Sequence, residues 1–129
     1  MKRIKSVSEK RLIIQCDINN KKGYFLLDSG ASVPMIDKSQ VKKYNLKIGR
    51  RYNGTIVGAG GEMQDIYCCD TFVYVENKTL SQFLIADIGA VVSSIKRETN
   101  IEILGIISLP QMKFIGIQID MNDNEIIFE

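Results

Sequence analysis

One short segment combines the residue type of an acid–base catalyst with a turn that would hold it in place. Asp28 directly follows the apolar run at residues 25–27, and Ser29 and Gly30 come next. A carboxylate at the end of an apolar strand is costly unless neighbouring donors stabilise it. Glycine permits a sharp turn that brings backbone N–H groups towards the carboxylate, and Ser29 offers one more hydrogen bond. The segment predicts a rigidly held aspartate at the edge of a core, although the same three residues are also typical of a plain turn.

The chain has no histidine among its 129 residues, which removes most alternatives to carboxylate chemistry. Ser-His-Asp and Cys-His catalysis, histidine-ligated zinc and imidazole pH switching all need that side chain. Acid–base chemistry near neutral pH is then left to carboxylates, Lys, Tyr or Cys. We therefore expect neither a metal site nor a cofactor.

The three cysteines do not favour another chemistry. Cys16, Cys68 and Cys69 form no C-x-x-C pattern, and their odd number does not suggest a disulfide framework. A redox role for Cys68 and Cys69 is a weaker hypothesis, because adjacent residues on a strand point to opposite faces.

Composition places the chain among ordinary globular domains. With 45% apolar and 25% charged residues it is neither disordered nor membrane-spanning. Its length predicts one domain over residues 1–129. No apolar stretch approaches 18 residues, and no apolar signal core follows Met1. We therefore expect no membrane partner and a reducing, cytoplasmic location.

Charge is divided unevenly along the chain. Residues 1–51 carry 13 basic and 4 acidic side chains, a balance of +9, whereas residues 52–129 carry 4 and 11, a balance of −7. Such asymmetry can mark a basic face that binds a partner. Because strands from the two halves of a β domain interleave, we favour charges that mix in space, and we expect no nucleic-acid partner.

Short apolar runs between turn residues predict an all-β domain. The expected strands are residues 11–18, 24–27, 52–57, 63–75, 80–85, 101–104, 113–120 and 125–128. Residues 37–44 are the plausible helix of the first half, residues 88–100 a loop or short helix, and residues 106–110 a helical turn. A glycine cluster at residues 58–61 predicts the tip of a hairpin, which we call the glycine hairpin (residues 55–63). No Gly-Lys-Ser follows it, so a phosphate-binding loop is disfavoured.

Residues 25–32 resemble the active-site loop of retroviral-type (retropepsin-like) aspartic proteases, where an apolar strand leads into Asp-[Ser/Thr]-Gly-Ala. The glycine hairpin lies about 30 residues downstream, where that family carries its flap. Residues 103–105 are similar to the family's apolar-apolar-Gly segment, which packs beside the active-site loop. Residues 114–120 and 125–128 are similar to the closing strands of cellular and bacterial relatives.

The resemblance implies a closed, barrel-like retropepsin lobe with a flap and an aspartic endopeptidase activity. In that mechanism two carboxylates about 3 Å apart share one proton, so one activates water and the other protonates the peptide carbonyl. This chain has one Asp-[Ser/Thr]-Gly sequence. The resemblance therefore implies a homodimer in which each copy supplies Asp28.

Residue roles follow from the same resemblance. Asp28 would be the catalytic carboxylate, Ser29 would hydrogen-bond across the two-fold axis, and Gly30 would present its backbone to the carboxylates and substrate. Leu104 and Gly105 would support the active-site loop. The residues expected to contact an extended polypeptide substrate are Ala31, Ser32, Val57, Gly58, Ala59, Gly60 and Gly61.

Departures from the family pattern leave a second function open. Retroviral enzymes usually carry acidic residues after the Ala, paired with an Arg after the apolar-Gly segment. Here Ser32 and Val33 occupy the first place and residues 106–108 the second. The alternative is a non-catalytic dimeric domain that keeps the fold for peptide binding or assembly. Asp87, in an echo of the Asp28 segment at residues 86–90, is a less favoured second carboxylate because Ile88 lacks the hydroxyl.

Overall fold

The computed structural model describes residues 1–58 and 61–129. Within these ranges the strands are β1 (Lys2–Lys5), β2 (Ile13–Ile18), β3 (Lys21–Asp28), β4 (Met35–Asp37), β5 (Ile48–Arg51), β6 (Val57–Gly58), β7 (Gly61–Glu62), β8 (Tyr67–Cys69), β9 (Val73–Val75), β10 (Lys78–Leu80), β11 (Leu84–Ala86), β12 (Gly105–Ser108), β13 (Gln118–Asp120) and β14 (Glu125–Phe128). The helices are α1 (Gly89–Thr99) and α2 (Leu109–Ile115), with a 3-10 turn at Lys38–Gln40. None of the helices in the described ranges has the length and apolar character needed to cross a membrane.

Nine strands form the main sheet in the order β10-β9-β2-β3-β12-β4-β11-β8-β5. A second sheet has the order β1-β14-β13, and β6 pairs with β7 as a separate hairpin. The all-β prediction is confirmed. The expected closure into a barrel is not found in the described ranges, because the main sheet ends on two different strands, β10 and β5.

The β2–β3 hairpin shows why local turn residues are good predictors. Its two-residue connection places Asn19 and Asn20 in the left-handed region, at φ 49° and 64°. Two consecutive left-handed residues give a turn whose twist matches that of the flanking strands, and Asn tolerates this conformation well. The predicted turn at residues 19–23 is therefore real but shorter, and β3 begins at Lys21.

The region after residue 100 is shifted from its expected positions. The strand predicted at residues 101–104 is β12, which begins only at Gly105, and the helical turn expected at residues 106–110 is α2. Ser108 caps α2 in a capping box with Gln111, with a proline in the first helical turn. The helix then continues to Ile115 and ends at left-handed Gly116, which shortens the strand expected at residues 113–120.

Three other predicted segments are interrupted in the structure. The helix expected at residues 37–44 is reduced to the 3-10 turn, with β4 occupying its first residue. The strand expected at residues 80–85 is split between β10 and β11 around left-handed Gln82. Residues 88–100 contain the short helix, α1, which ends at left-handed Asn100.

Apolar side chains pack on both faces of the central strands. Phe25 and Leu27 belong to one buried cluster, whereas Leu26 belongs to a second. Ile13 and Ile106 lie beside Leu26 on the neighbouring strands and belong to that second cluster as well. Because strand side chains alternate between faces, the residue two positions after Leu26 also lies on the face of the second cluster.

Candidate active site

Asp28 is the last residue of β3 and is half-buried on the face of the second apolar cluster. β3 has β2 on one side and β12 on the other, so the position of Asp28 is set from both sides. The parallel pairing of β3 with β12 places Ser108 level with Asp28. The buried strand ends here, and the chain turns outwards through Ser29 and Gly30, which are both exposed.

We call the turn at residues 28–32 the Asp28 loop. Three backbone N–H groups hold it by hydrogen bonds of ordinary length. The Gly30 N–H donates to Asp28 Oδ1 at 3.0 Å, and the Ala31 N–H donates to the Asp28 carbonyl oxygen at 3.1 Å. The Ala31 carbonyl oxygen accepts a hydrogen bond from the Leu109 N–H at 3.0 Å. A backbone donor therefore meets the carboxylate, as the sequence predicts, and the start of α2 secures the loop.

The backbone conformation at position 30 does not require a glycine. It does not lie in the left-handed region, and a β-carbon there would only touch Asp28 Oδ1, at 3.4 Å. The turn around Asp28 thus forms without the conformational freedom of glycine. The roles expected for Ser29 and Gly30 concern a second copy or a substrate, so they stay predictions.

Leu104 and Gly105 were expected beside the Asp28 loop, but Gly105 lies beside a residue of β3 three positions before Asp28. Gly105 is level with Phe25, and the Leu104 N–H donates to the Tyr24 carbonyl oxygen at 2.7 Å. They therefore contact the strand that carries Asp28, whereas the residue beside Asp28 itself is Ser108. Ser108 was not among the predicted site residues; two apolar residues followed by a small one, and the capping-box spacing to Gln111, were the available signals.

Arg11 is a second residue beside Asp28 that was not predicted from the sequence. The Leu27 N–H donates to the Leu12 carbonyl oxygen at 2.9 Å, which continues the β2–β3 ladder and sets Arg11 across from Asp28. Its guanidinium binds Glu98 of α1 through two hydrogen bonds, Nε to Oε1 and Nη2 to Oε2, both 3.0 Å. The pKa of Arg11 is raised, chiefly by Glu98, with a smaller effect from the charge of Asp28.

The Arg11–Glu98 pair makes stability depend on pH in the acid range. The hydrogen bonds from Arg11 lower the pKa of Glu98 in the folded chain. This stabilisation is complete above the pKa of unfolded Glu98 and is lost as the pH falls through the lower, folded value. We expect Glu98→Gln to lower the free energy of unfolding more at pH 7 than at pH 3, measured by urea denaturation. Equal losses at both pH values would contradict the assignment; Glu9→Gln, an exposed site with no ion pair among the described residues, is the control.

The echo of the Asp28 segment has a structural counterpart. Asp87 follows β11, and its Oδ1 accepts a hydrogen bond from the Gly89 N–H at 3.0 Å, as Asp28 does from Gly30. However, β3 is parallel to β12, β12 is antiparallel to β4, and β4 is parallel to β11. β3 and β11 therefore run in opposite directions, and the two aspartates leave opposite ends of the sheet. Asp87 does not complete a carboxylate pair with Asp28 in the same chain.

The glycine hairpin has the expected antiparallel arms. Val57 pairs with Glu62 and Gly58 with Gly61, and the Met63 N–H donates to the Ile56 carbonyl oxygen at 2.8 Å. Val57, Gly58 and Gly61 are exposed. The predictions for Ala59 and Gly60 concern residues outside the described ranges.

The hairpin and the Asp28 loop rest on the same apolar surface. Ile56 and Met63 pack against the second cluster, and so does Ala31. Ser32 is exposed. Contact between these residues and a polypeptide stays a prediction.

Three acidic side chains cluster at the turn between β13 and β14, away from Asp28. Asp120, Asp123 and Glu125 place carboxylate oxygens within 4.8 Å of one another. Arg3 donates to Asp120 at 3.3 Å and to Glu125 at 3.1 Å, and backbone N–H groups of the turn also bind Asp120. Hydrogen bonding by the Asp123 N–H is the main reason that the pKa of Asp120 is lowered. Arg3 and the turn therefore account for this group.

The cysteines also have structural roles. Burial raises the pKa of the Cys16 and Cys69 thiols, which keeps them protonated. Cys69 belongs to the first apolar cluster, whereas Cys68 packs against the second. The two adjacent thiols thus point to opposite faces of β8, as expected from a strand.

Comparisons with known proteins agree with this arrangement. Residues 14–111 match the model of a family described as "gag-polyprotein putative aspartyl protease". No curated protein matches the chain. Among solved structures, the EIAV protease in complex with the inhibitor HBY-793 aligns with a TM-score of 0.64 at 20% identity, covering 91% of this chain and 99% of that one.

Two cellular proteins have similar structures. The retroviral protease-like domain of Ddi1 from Leishmania major aligns with a TM-score of 0.62 at 21% identity, covering 92% of this chain and 88% of that one. A retropepsin-like aspartic protease from Rickettsia conorii gives 0.58 at 18% identity, covering 98% and 88%. The chain has the retropepsin-like fold that residues 25–32 predicted, and it belongs to this gag-type aspartyl protease family.

Proposed function

We propose that this protein is an aspartic endopeptidase that works as a homodimer. The observation that carries the proposal is the geometry of Asp28: it ends a buried strand, and its carboxylate accepts the Gly30 N–H at 3.0 Å. Such a carboxylate is held in place yet still half-exposed, as a residue that exchanges protons with water must be. Family membership supports the same chemistry.

A second chain is needed because the mechanism needs a second carboxylate. Two Asp28 side chains meeting at a two-fold axis would share one proton, since like charges at that separation do not both ionise. One carboxylate then takes a proton from the attacking water while the other protonates the carbonyl oxygen of the peptide. The pair titrates as a unit, so neither copy has a permanent role.

The surrounding residues would serve this reaction in three ways. Ser29, exposed in the Asp28 loop, would hydrogen-bond to the partner copy, and Gly30 would leave room for the approaching backbone. The glycine hairpin would close over an extended peptide and exclude water. Arg11, held by Glu98, would place a positive charge beside the dyad.

The second candidate is a non-catalytic dimeric domain that binds a peptide or drives assembly. Ser32 and Val33 support it, because they replace the acidic residues that retroviral enzymes use beside the active site. The two candidates share the fold and the dimer and differ only in turnover.

A shared dyad makes specific activity depend on chain concentration. We expect cleavage of an unbiased peptide library to rise with the square of chain concentration below the dimer dissociation constant, and linearly above it. Sedimentation velocity over the same range should show the change from monomer to dimer. Turnover by a strict monomer would refute the shared dyad, whereas a dimer that cleaves no peptide would favour the binding domain.

A further inference from the structure

A cleft of about 1030 Å³ lies beside the segment that follows the Asp28 loop. Val33 and Leu84 line it, and so do Arg50, Arg51 and Phe72. The Leu84 N–H donates to the Pro34 carbonyl oxygen at 3.0 Å, which fixes this part of the cleft next to the chain leaving Asp28. We call it the side cleft.

The sheet order gives the direction and reach of the side cleft. From β4, beyond Val33 and Pro34, the neighbouring strands are β11, β8 and β5 in turn. Adjacent strands lie about 4.8 Å apart, so β5 is about 14 Å from β4. An extended peptide advances about 3.3 Å per residue, so about four residues would span this distance.

At the far end of the side cleft, Arg50 is a positively charged side chain without an ion-pair partner in the described ranges. Arg51 pairs with Asp65 at 3.3 Å, whereas Arg50 makes no ion pair or side-chain hydrogen bond within residues 1–58 and 61–129. Both lie on β5, the edge strand of the main sheet, and Arg50 is exposed. An exposed guanidinium at the end of a groove is a good donor to a carboxylate.

The remaining lining of the side cleft is partly apolar, which suits the methylene groups of a bound side chain. It also contains one negatively charged residue. Phe72 is 52% exposed and Leu84 is buried beneath the cleft, which makes part of the wall apolar. Asp70 also lines the cleft; its carboxylate lies over Gly49, where a β-carbon would fall 2.7 Å from Oδ1. Asp70 and Arg50 form no ion pair with each other within residues 1–58 and 61–129. Asp70 would repel a bound carboxylate.

We propose that the side cleft is an accessory substrate-binding site that selects polypeptides with an Asp or Glu side chain several residues from the cleaved bond. Arg50 is its specificity-determining residue, and Asp70 sets an upper limit on the selectivity. The inference rests on the proposed endopeptidase function for its biological use. The excess of basic residues in the first 51 positions, to which Arg50 belongs, thus has one local role in recognition.

Binding is measured without turnover by using the full chain with Asp28→Asn. Fluorescent ten-residue peptides carry one Glu or one Gln at each position in turn, and fluorescence anisotropy gives their affinities. We expect the Glu peptide to bind about five- to tenfold more tightly than its Gln partner at one position, because a charge-assisted hydrogen bond contributes about that much. Raising the salt concentration should reduce the difference.

Variants of the two charged residues must shift this preference in opposite directions. Arg50→Gln should remove the preference for Glu, and Asp70→Asn should increase it about two- to threefold by removing a repulsion. Lys47→Gln makes the same charge change just before β5, outside the cleft lining, and should leave the preference intact. Equal affinities for all Glu and Gln pairs, or a weaker preference in Asp70→Asn, would overturn the assignment.

Comparing binding by the Asp28→Asn chain with cleavage by the native chain tests the side cleft and the endopeptidase activity independently. If the native chain cleaves no peptide but the Asp28→Asn chain prefers Glu peptides through Arg50, the endopeptidase proposal fails and the binding site stands. If the native chain cleaves peptides without regard to their charge, the activity stands and the binding site fails.

Discussion

Asp28→Asn is expected to lower peptidase activity by about three orders of magnitude or more. The amide has almost the shape of the carboxylate, and its oxygen can still accept the Gly30 N–H, so the Asp28 loop should keep its conformation. It cannot take a proton from water or pass one to the substrate, and positioned acid–base groups contribute about 10²- to 10⁴-fold each. The measurement is the initial rate of peptide cleavage, with circular dichroism to show that the variant is folded.

Mixing the two chains tests whether the carboxylates come from different copies. In an equimolar mixture that exchanges freely, about one quarter of the dimers carry two carboxylates. Activity per total chain should then fall to about one quarter, whereas independent chains would retain about one half. Asp87→Asn is the matched control, because Asp87 accepts a similar backbone hydrogen bond at the opposite end of the sheet. Full activity in Asp28→Asn would refute the mechanism.

Gly105→Ala is expected to give the largest loss of stability from a single methyl group in this chain. A β-carbon at Gly105 would overlap the carbonyl oxygen of Met35 and lie 2.9 Å from the α-carbon of Ile36. These are backbone atoms of β4, so no side-chain rotation relieves the overlap. β12 lies between β3 and β4, and separating it from β4 would also disturb the strand that carries Asp28. We expect the free energy of unfolding to fall by about 3 kcal/mol or more, measured by urea denaturation.

Gly30→Ala is the control for this experiment. A β-carbon at Gly30 would meet only Asp28 Oδ1, at 3.4 Å, and the residue is exposed without a left-handed backbone. Measured at chain concentrations below the dimer dissociation constant, its free energy of unfolding should change by about 0.5 kcal/mol or less, as at other surface sites. If Gly105→Ala were as stable as Gly30→Ala, β12 and β4 would not approach as closely as described.

Local chemistry explains which parts of the fold were predictable. The Asp28 turn, the Asn19–Asn20 connection and the alternating strands around them depend on neighbouring residues, so they are readable from a single sequence. The region from residue 101 to residue 109 was misplaced by about four positions, because its apolar run has no alternation that distinguishes strand from loop. The capping box at Ser108 and the proline in the first helical turn mark where α2 begins.

The candidate site shows the same division. The residue types at positions 28–31 predicted the class of chemistry through their resemblance to the retropepsin-like active-site loop, and the absence of histidine excluded most alternatives. Which side chains lie beside Asp28 was decided only in three dimensions. β3 pairs with a strand from the far end of the chain, which brings Ser108 level with Asp28.

The sequence by itself determined that Asp28 ends an apolar strand in a turn, and that one such motif is present in a short all-β chain. It left the echo at Asp87 as a second possible carboxylate. The tertiary structure decided that question, because the two parallel strand pairs, β3 with β12 and β11 with β4, run in opposite directions. Strand direction depends on pairing between distant segments, and no local pattern encodes it.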